Sequence, residues 1–474
     1  MIFKPGHPGV GDYPSSQGPH RELQAGQQRS GIHLVVPCGE QRARDARAQL
    51  RLQLPNLRWI EPSGGKPEAF LKALQTDKLV DVVVLEQGRV GGGASGVAAG
   101  MLAPTSEAED ENPGLVRLAL ESQRLYPDFV GAVQRASGLA CGYRRDGTLL
   151  VGLGRDDDDE LVRLKGLQER LGLSTTWLDP AQVREMEPEL SPRITSALFA
   201  AGDHQVDPRA LLAGLQVAVQ ALGGRVIANA RVTGFENHGG PMRQVRGHMM
   251  PQAPDPTMDP AARDKGAEQP PNAFAIRCQS AVLAAGAWSC RDLSWPAKPL
   301  GVRPIKGQLV RLRGPELIRH VVRAPRAYLV PRQSGELVVG ATMEEQGLDP
   351  TPTAGAVMDL LWNARLVAPA VYDLEMVEVN VGFRPATRDH LPLIGATEVP
   401  GLHVATGHFR HGVLLAPATA VLLADLIVDG RLDPMLVPFL PQRRDELRPR
   451  RAAEEGGAAA TRDSGRSAVL RPDR

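Results

Sequence analysis

Residues 63–88 read SGGKPEAFLKALQTDKLVDVVVLEQG. The second half carries an apolar run, Val80-Asp81-Val82-Val83-Val84-Leu85, closed by Glu86. Near-continuous Val and Leu mark a strand buried on both faces, as parallel sheets use. In a dinucleotide-binding βαβ unit, an acidic residue at such a strand end accepts from ribose hydroxyls. The phosphate-binding glycines then lie about 20 residues earlier. Counting back from Glu86 reaches Ser63 to Glu68, SGGKPE. A strand (Leu57 to Ile60, LRWI), a turn and a helix with Phe70, Leu71 and Leu74 at helical spacing stand in the right order. Only Gly65 falls where a glycine is required. Glu68 brings a carboxylate towards a pyrophosphate, and Pro67 removes one N–H donor from the anion site. The stretch predicts either a dinucleotide unit with a degenerate loop or an ordinary βαβ unit with no ligand.

The chain has 474 residues, 42% hydrophobic and 23% charged, with a net charge of +1. That length suits two domains, and that composition suits a globular protein. The charge balance argues against nucleic acid or an anionic membrane as partner. Cys38, Cys141, Cys278 and Cys290 show no CxxC spacing. They predict neither a zinc site nor a disulfide framework, and fit a reducing compartment. No apolar run reads as a membrane span, and the first 20 residues lack the apolar core of a signal peptide, so a cytoplasmic location is expected.

Helical periodicity predicts helices in LVRLALESQRLYPDFVGAVQ and DELVRLKGLQERLG. Asp179-Pro180 and Asp207-Pro208 read as an N-cap with proline at the first helical position. GIHLVVP, from Gly31, is a strand candidate, and RVIANARVTGFE reads as paired strands. The Pro-rich segment 237–272 reads as a disordered surface insertion within a hairpin. A β-rich section spans 300–345, and HGVLLAPATAVLLADLIVDG reads as a buried helix ended by Gly430. βαβ segments near both ends flank an antiparallel middle, which predicts one discontinuous domain with a second inserted in it.

Gly88 to Pro104, GRVGGGASGVAAGMLAP, is rich in glycine and alanine. Small residues let backbone approach something flat or anionic. Arg384 stands among apolar residues in VGFRPATRDHLPLIG, and Arg410 sits between a strand and a buried helix in ATGHFRHGVLLAP. Each is a candidate carboxylate binder or a structural ion pair. The amides of His411, Gly412, Val413 and Leu414 open that helix and suit a negative charge. Tyr328 in AYLVPR offers a hydroxyl donor or a core tyrosine. His408 and His411 have no further ligands at metal spacing, so no metal is expected. No GxSxG or HExxH is present.

LEQGRVGGGASGVAAGML, YLVPRQSGELVVGATM, GFRPATRDHLPLIG and GHFRHGVLLAPATA resemble the FAD-dependent D-amino-acid oxidase superfamily, above all its glycine oxidases of thiamine biosynthesis. The resemblance covers roughly residues 57–440 without the 237–272 insertion. It implies an α/β fold: a discontinuous Rossmann-like FAD-binding domain with an inserted antiparallel-sheet substrate domain. The implied division leaves 1–30 without fixed structure and 31–56 as an atypical extension. Residues 57–135 form the first part of the FAD domain, 136–200 mostly substrate domain, and 201–300 mostly FAD domain. Residues 301–380 return to the substrate domain, 381–440 complete the FAD domain, and 441–474 form a disordered tail.

By the same resemblance, Gly65 belongs to the phosphate loop, and Glu86 and Gln87 meet the adenosine ribose. Ala94, Ser95, Ala99, Gly100 and Met101 line flavin and pyrophosphate. Val232 contacts the adenine side through its backbone. His408, Phe409, Arg410, His411, Gly412, Val413 and Leu414 cradle the isoalloxazine. Arg384 pairs with the substrate carboxylate, Tyr328 hydrogen-bonds it, Arg410 borders it, and Met343 and Met101 wall the pocket. The implied reaction is oxidation of glycine or a similar amine by non-covalent FAD, with dioxygen as acceptor. It needs no acid–base dyad and yields an imine or glyoxylate, ammonia and hydrogen peroxide. A homo-oligomer is left open.

The departure is SGGKPE where the family has GxGxxG. The pattern is lost upstream of about residue 79, through divergence or a shifted reading frame. An oxidase or dehydrogenase of other D-amino acids or sarcosine is one alternative, and a flavin-free pseudoenzyme is another.

Overall fold

The computed structural model describes residues 32–36, 82–108, 112–237, 244–250, 273–289 and 299–445. The segments 57–60 and SGGKPE, with Gly65, lie outside them.

A six-stranded sheet carries the first domain. Its order is Leu393–Ala396, Leu402–Thr406, Ser280–Ala284, Ile32–Val36, Val83–Glu86, Arg225–Ile227. Ser280–Ala284 runs parallel to Leu402–Thr406, and Val83–Glu86 runs parallel to Arg225–Ile227. Ile32–Val36 lies between these two pairs, antiparallel to both neighbours. Ile32 pairs with Glu86 and Ala284, so the carboxyl ends of the parallel strands share one edge. The chain leaves Val36 at the opposite edge. The sequence places 31–56 in an extension before the sheet; the structure puts Ile32–Val36 at its centre.

An eight-stranded sheet forms the second domain. Its long strands Arg303–Arg313 and Glu375–Ala386 pair antiparallel, and Glu375–Ala386 forms one edge. The hairpin Val321–Ala324/Ala327–Pro331 and the strand Glu336–Gly340 continue it. Leu149, Val310, Leu329 and Val339 are fully buried on its core side, under the helix Ala354–Val367.

Three expectations need correction. Arg225–Ile227 and Ala230–Glu236 do not pair with each other: the first joins the six-stranded sheet, and the second a three-stranded sheet. That small sheet includes Gln244–Met249, inside the stretch read as an unstructured insertion. Val245 is fully buried there, so one inward apolar residue is enough to seat the strand despite its polar neighbours. Order also extends past residue 440: Pro441–Asp445 form a 3-10 turn, and Arg443 Nε meets Asp389 Oδ2 at 3.0 Å.

Local chemistry explains how the helices start and what holds them. Asp179 accepts from the Ala181 and Gln182 amides, and Gln182 closes the capping box. Asp207 accepts from the Arg209 and Ala210 amides. The helix Gly412–Asp429 is long and apolar enough to cross a membrane, contrary to the sequence reading. Its Leu414, Leu415, Ala418 and Leu422 instead pack into a core with Leu118, Tyr126 and Phe129 of the helix Pro113–Ser137. Pro417 has no N–H, so the Val413 carbonyl loses its helical donor. The Tyr126 hydroxyl supplies one at 2.7 Å. Ser122 Oγ accepts from the Ala418 amide at 3.1 Å and donates to the Leu414 carbonyl at 2.6 Å. The first turn of this helix is thereby fixed from behind.

Candidate active site

A cavity of about 600 Å³ lies between the two sheets, at the carboxyl ends of the parallel strands. Ligands of open α/β sheets bind at this edge. Glu86 closes its strand there, is almost wholly buried, and accepts from the Gly88 amide at 2.9 Å. The glycine- and alanine-rich run contributes Ala94, Ser95, Ala99, Gly100 and Met101 to the wall. Arg332, buried in the second domain, donates to the Ala99 carbonyl and to Gln205 Oε1. That pins the run against the eight-stranded sheet.

The opposite wall holds Tyr328, Met343 and Arg384. Gly307 makes room for Arg384, since a Cβ there would lie 2.8 Å from its Cζ. Arg384 Nη1 donates to the Thr342 carbonyl at 3.0 Å. Among the described residues no carboxylate pairs with this guanidinium. Tyr328 stands opposite Gly340, whose Cβ would lie 2.6 Å from Tyr328 Cε2. Burial pushes the Tyr328 phenol up, against the nearby charge of Arg384, so the group stays a hydrogen-bond donor. Met343 is 68% exposed, so it forms a loose wall.

The third side is the loop before Gly412–Asp429. His408, Phe409, Arg410, Gly412 and Val413 line the cavity. His408 Nε2 lies 3.1 Å from Thr419 Oγ1, and burial takes its pKa down to about 4, so the ring is neutral. The first amides of the helix have no intrahelical partners and carry the positive end of its dipole.

A carboxylate that sequence reading misses joins these walls. Asp203, fully buried, accepts from the Thr105 amide at 3.0 Å and the Ser106 amide at 2.9 Å. This clamp delivers Glu107 to the cavity. Glu107 meets His411 Nδ1 at 3.3 Å, Arg323 Nη2 at 3.4 Å and Arg410 Nε at 3.7 Å. Burial works to raise its carboxyl, but Arg323, His411 and Arg410 outweigh it and hold the group well below the usual range. No local motif announces Glu107, because its partners are far away in sequence.

Not every expected residue reaches the cavity. Gln87 is not among its lining residues. Val232, expected to contribute its backbone, is not among them either, and its side chain is buried in a core with Val83 and Leu85. His411 turns to Glu107, and Leu414 points into the core with Tyr126.

The sequence profile of FAD-dependent oxidoreductases matches residues 71–426. The chain belongs to the FAD-dependent oxidoreductase family. A glycine oxidase of Geobacillus kaustophilus is 32% identical over 362 residues, which are 76% of this chain and 89% of that protein. The crystal structure of glycine oxidase from Geobacillus kaustophilus superposes with a TM-score of 0.68 at 30% identity, covering 80% of this chain and 97% of the other. A bifunctional ThiO/ThiG protein of a Nostoc species is 34% identical over 73% of this chain. The chain spans about half (49%) of that relative's length.

FAD is the cofactor of this family, and the described walls fit a flavin. Among the described residues, the buried Nε1 donor of Trp288, a residue of the cavity wall, has no partner. Nothing lies within 4 Å of where a Cβ on Gly286 would stand, which leaves backbone open to a planar ring. The six-stranded sheet departs from a simple dinucleotide unit at Ile32–Val36. A strand that runs away from the cavity cannot lead directly into a phosphate-binding helix at the cavity edge.

Proposed function

We propose that this FAD-dependent oxidoreductase oxidises glycine or a similar small amino acid, with dioxygen as the final acceptor. The observation that carries this reading is Arg384. Its guanidinium faces the cavity beside the Tyr328 hydroxyl with no carboxylate of the described chain to neutralise it. An α-carboxylate matches that fork, and the phenol adds a second donor.

The bound flavin would supply two-electron oxidation of the Cα–H bond. The residues supply position. Arg384 and Tyr328 fix the carboxylate, which leaves the amine and Cα facing the wall made by His408, Gly412 and Val413. Charge that develops along this wall meets the positive end of the helix dipole. Glu86 would accept from ribose hydroxyls of the cofactor. Holding the reacting atoms in line is most of what such a reaction asks of a protein, so no acid–base dyad is required. The imine product would hydrolyse to glyoxylate and ammonia or feed the thiazole of thiamine, and dioxygen as electron acceptor would be reduced to hydrogen peroxide.

The exposed Met343 leaves room for a larger amine, which favours sarcosine or a short D-amino acid as a second reading. Anaerobic mixing of the holoenzyme with glycine, sarcosine and D-alanine tests both. Bleaching of the flavin band with glycine supports the first reading; bleaching only with the larger amines selects the second. No bleaching with any of them removes amine oxidation.

A further inference from the structure

We propose that a small inorganic anion of chloride size binds at the junction of the two domains, in a buried site formed by Arg332, Gln205, Arg144 and Thr148. None of these four lines the cavity between the sheets, and the inference does not depend on the oxidase reading.

Four buried polar atoms at this junction have no partner among the described residues: Arg332 Nε, Gln205 Nε2, Arg144 Nη1 and Thr148 Oγ1. The fold draws them together. Arg144 and Gln205 face each other in a β-bridge, and each amide donates to the other's carbonyl, at 2.8 and 2.9 Å. Their side chains therefore leave on one face. Arg332 Nη1 donates to Gln205 Oε1 at 3.0 Å, which fixes the amide and leaves its Nε2 free. Arg332 follows the strand Ala327–Pro331 and shares the face of Val330, which packs with Val321 and Ala99. Its Nη2 bonds the Ala99 carbonyl. Thr148 stands beside Val321 on the next strand.

Three of the four atoms can only donate. Among the described residues no carboxylate closes on Arg332. The acids whose charge reaches it are engaged elsewhere: Asp207 caps the helix Pro208–Ala221, and Glu336 is paired with Arg311. Burial takes the Arg332 guanidinium down to about 10, and the charges of Arg311 and Arg144 push the same way. Arg144 already spends Nε on Asp146 Oδ2 at 2.7 Å and Nη2 on the Arg319 carbonyl at 3.0 Å. A water would need acceptors for its own two protons, and the Ala99 and Arg319 carbonyls already accept from these same arginines. An anion accepts from every donor and offsets the buried positive charge. Arg332, Gln205 and Thr148 are each 5% exposed or less, so a bare ion fits where an organic acid does not. It also braces the cavity from behind, because Gln205 pairs with Met101 and Arg332 holds Ala99, both on the cavity wall.

Thermal unfolding of the FAD-loaded protein in sodium chloride and in sodium gluconate, at equal concentrations, tests the site. Gluconate is too large to enter. Chloride should raise the midpoint by about 2 °C or more over gluconate, and the rise should saturate, as binding to the folded chain requires. Gln205→Glu puts a tethered carboxylate beside Arg332 and should abolish the chloride response. Thr148→Val keeps the side-chain shape and should weaken the apparent chloride affinity about fivefold or more. Bromide in crystals of the parent should give anomalous density between Arg332 Nε and Gln205 Nε2. Equal midpoints in the two salts overturn the site. So does a rise that survives both substitutions, which is a general salt effect, or density without anomalous signal, which is ordered water.

Discussion

The amide of Phe409 donates to the carbonyl of Pro385 at 2.8 Å, which ties the loop before the helix Gly412–Asp429 to the residue next to Arg384. Ala386 and His408 form a β-bridge beside it. The Phe409 ring stacks on His390 at 4.6 Å between centroids and packs with Ile305 and Ala386. One short contact therefore sets Arg384 and the start of the helix Gly412–Asp429 in a common frame.

Arg384→Ala should raise KM for the amino acid and lower kcat/KM by about 2–5 kcal/mol, the cost of truncating a buried charge-assisted pair. Arg384→Lys should recover only part of it, since an ammonium lacks the fork. The flavin absorbance spectrum of both variants should match the parent. An unchanged KM in Arg384→Ala would remove this residue from the carboxylate site.

Gly340→Ala should displace Tyr328, because the added methyl has no space beside the ring. Overpacking of this kind costs about 1–3 kcal/mol. The loss should show in urea midpoint and, more steeply, in kcat/KM. Gly355→Ala is the control. It lies in the helix Ala354–Val367 with nothing within 4 Å of the new methyl, and should stabilise by about 0.5–1 kcal/mol.

Glu107 gives stability an acid limit. Its folded pKa is depressed, so its contribution is complete above the ordinary glutamate value and is lost as pH falls from there towards the folded value. Glu107→Gln should be less stable than the parent at pH 7, and the gap should narrow steadily below about pH 4.3. Urea unfolding at several pH values reads this directly. A gap that stays constant would mean the ion pairs contribute nothing.

His408 acts in a higher window. Its pKa falls from 6.5 to about 4, so between those values the unfolded chain binds the proton and the folded chain does not. Stability should therefore drop as pH falls through that window. His408→Asn should flatten the dependence between pH 6.5 and 4 in thermal unfolding scans. An unaltered slope would assign the dependence to other groups.

The sequence by itself determined the features that depend on near neighbours. The Asp179 and Asp207 caps rest on hydrogen bonds within a few residues, and the strand Val83–Glu86 and the apolar helix ended by Gly430 are announced by a local apolar pattern. Their chemistry is therefore written locally. Family motifs also pointed to Arg384, Tyr328 and the Gly412–Val413 helix start, which the fold brings to one cavity. Tertiary structure alone decided the rest. A five-residue apolar run such as Ile32–Val36 reads as a strand but carries no sign of its direction, because direction is set by the hydrogen-bond partners that distant strands supply. The same holds for the cluster of Glu107 with Arg323, Arg410 and His411, assembled from three separate stretches of chain and held by Asp203 from a fourth. Charges pair through space, and that space exists only once the two sheets have closed on each other.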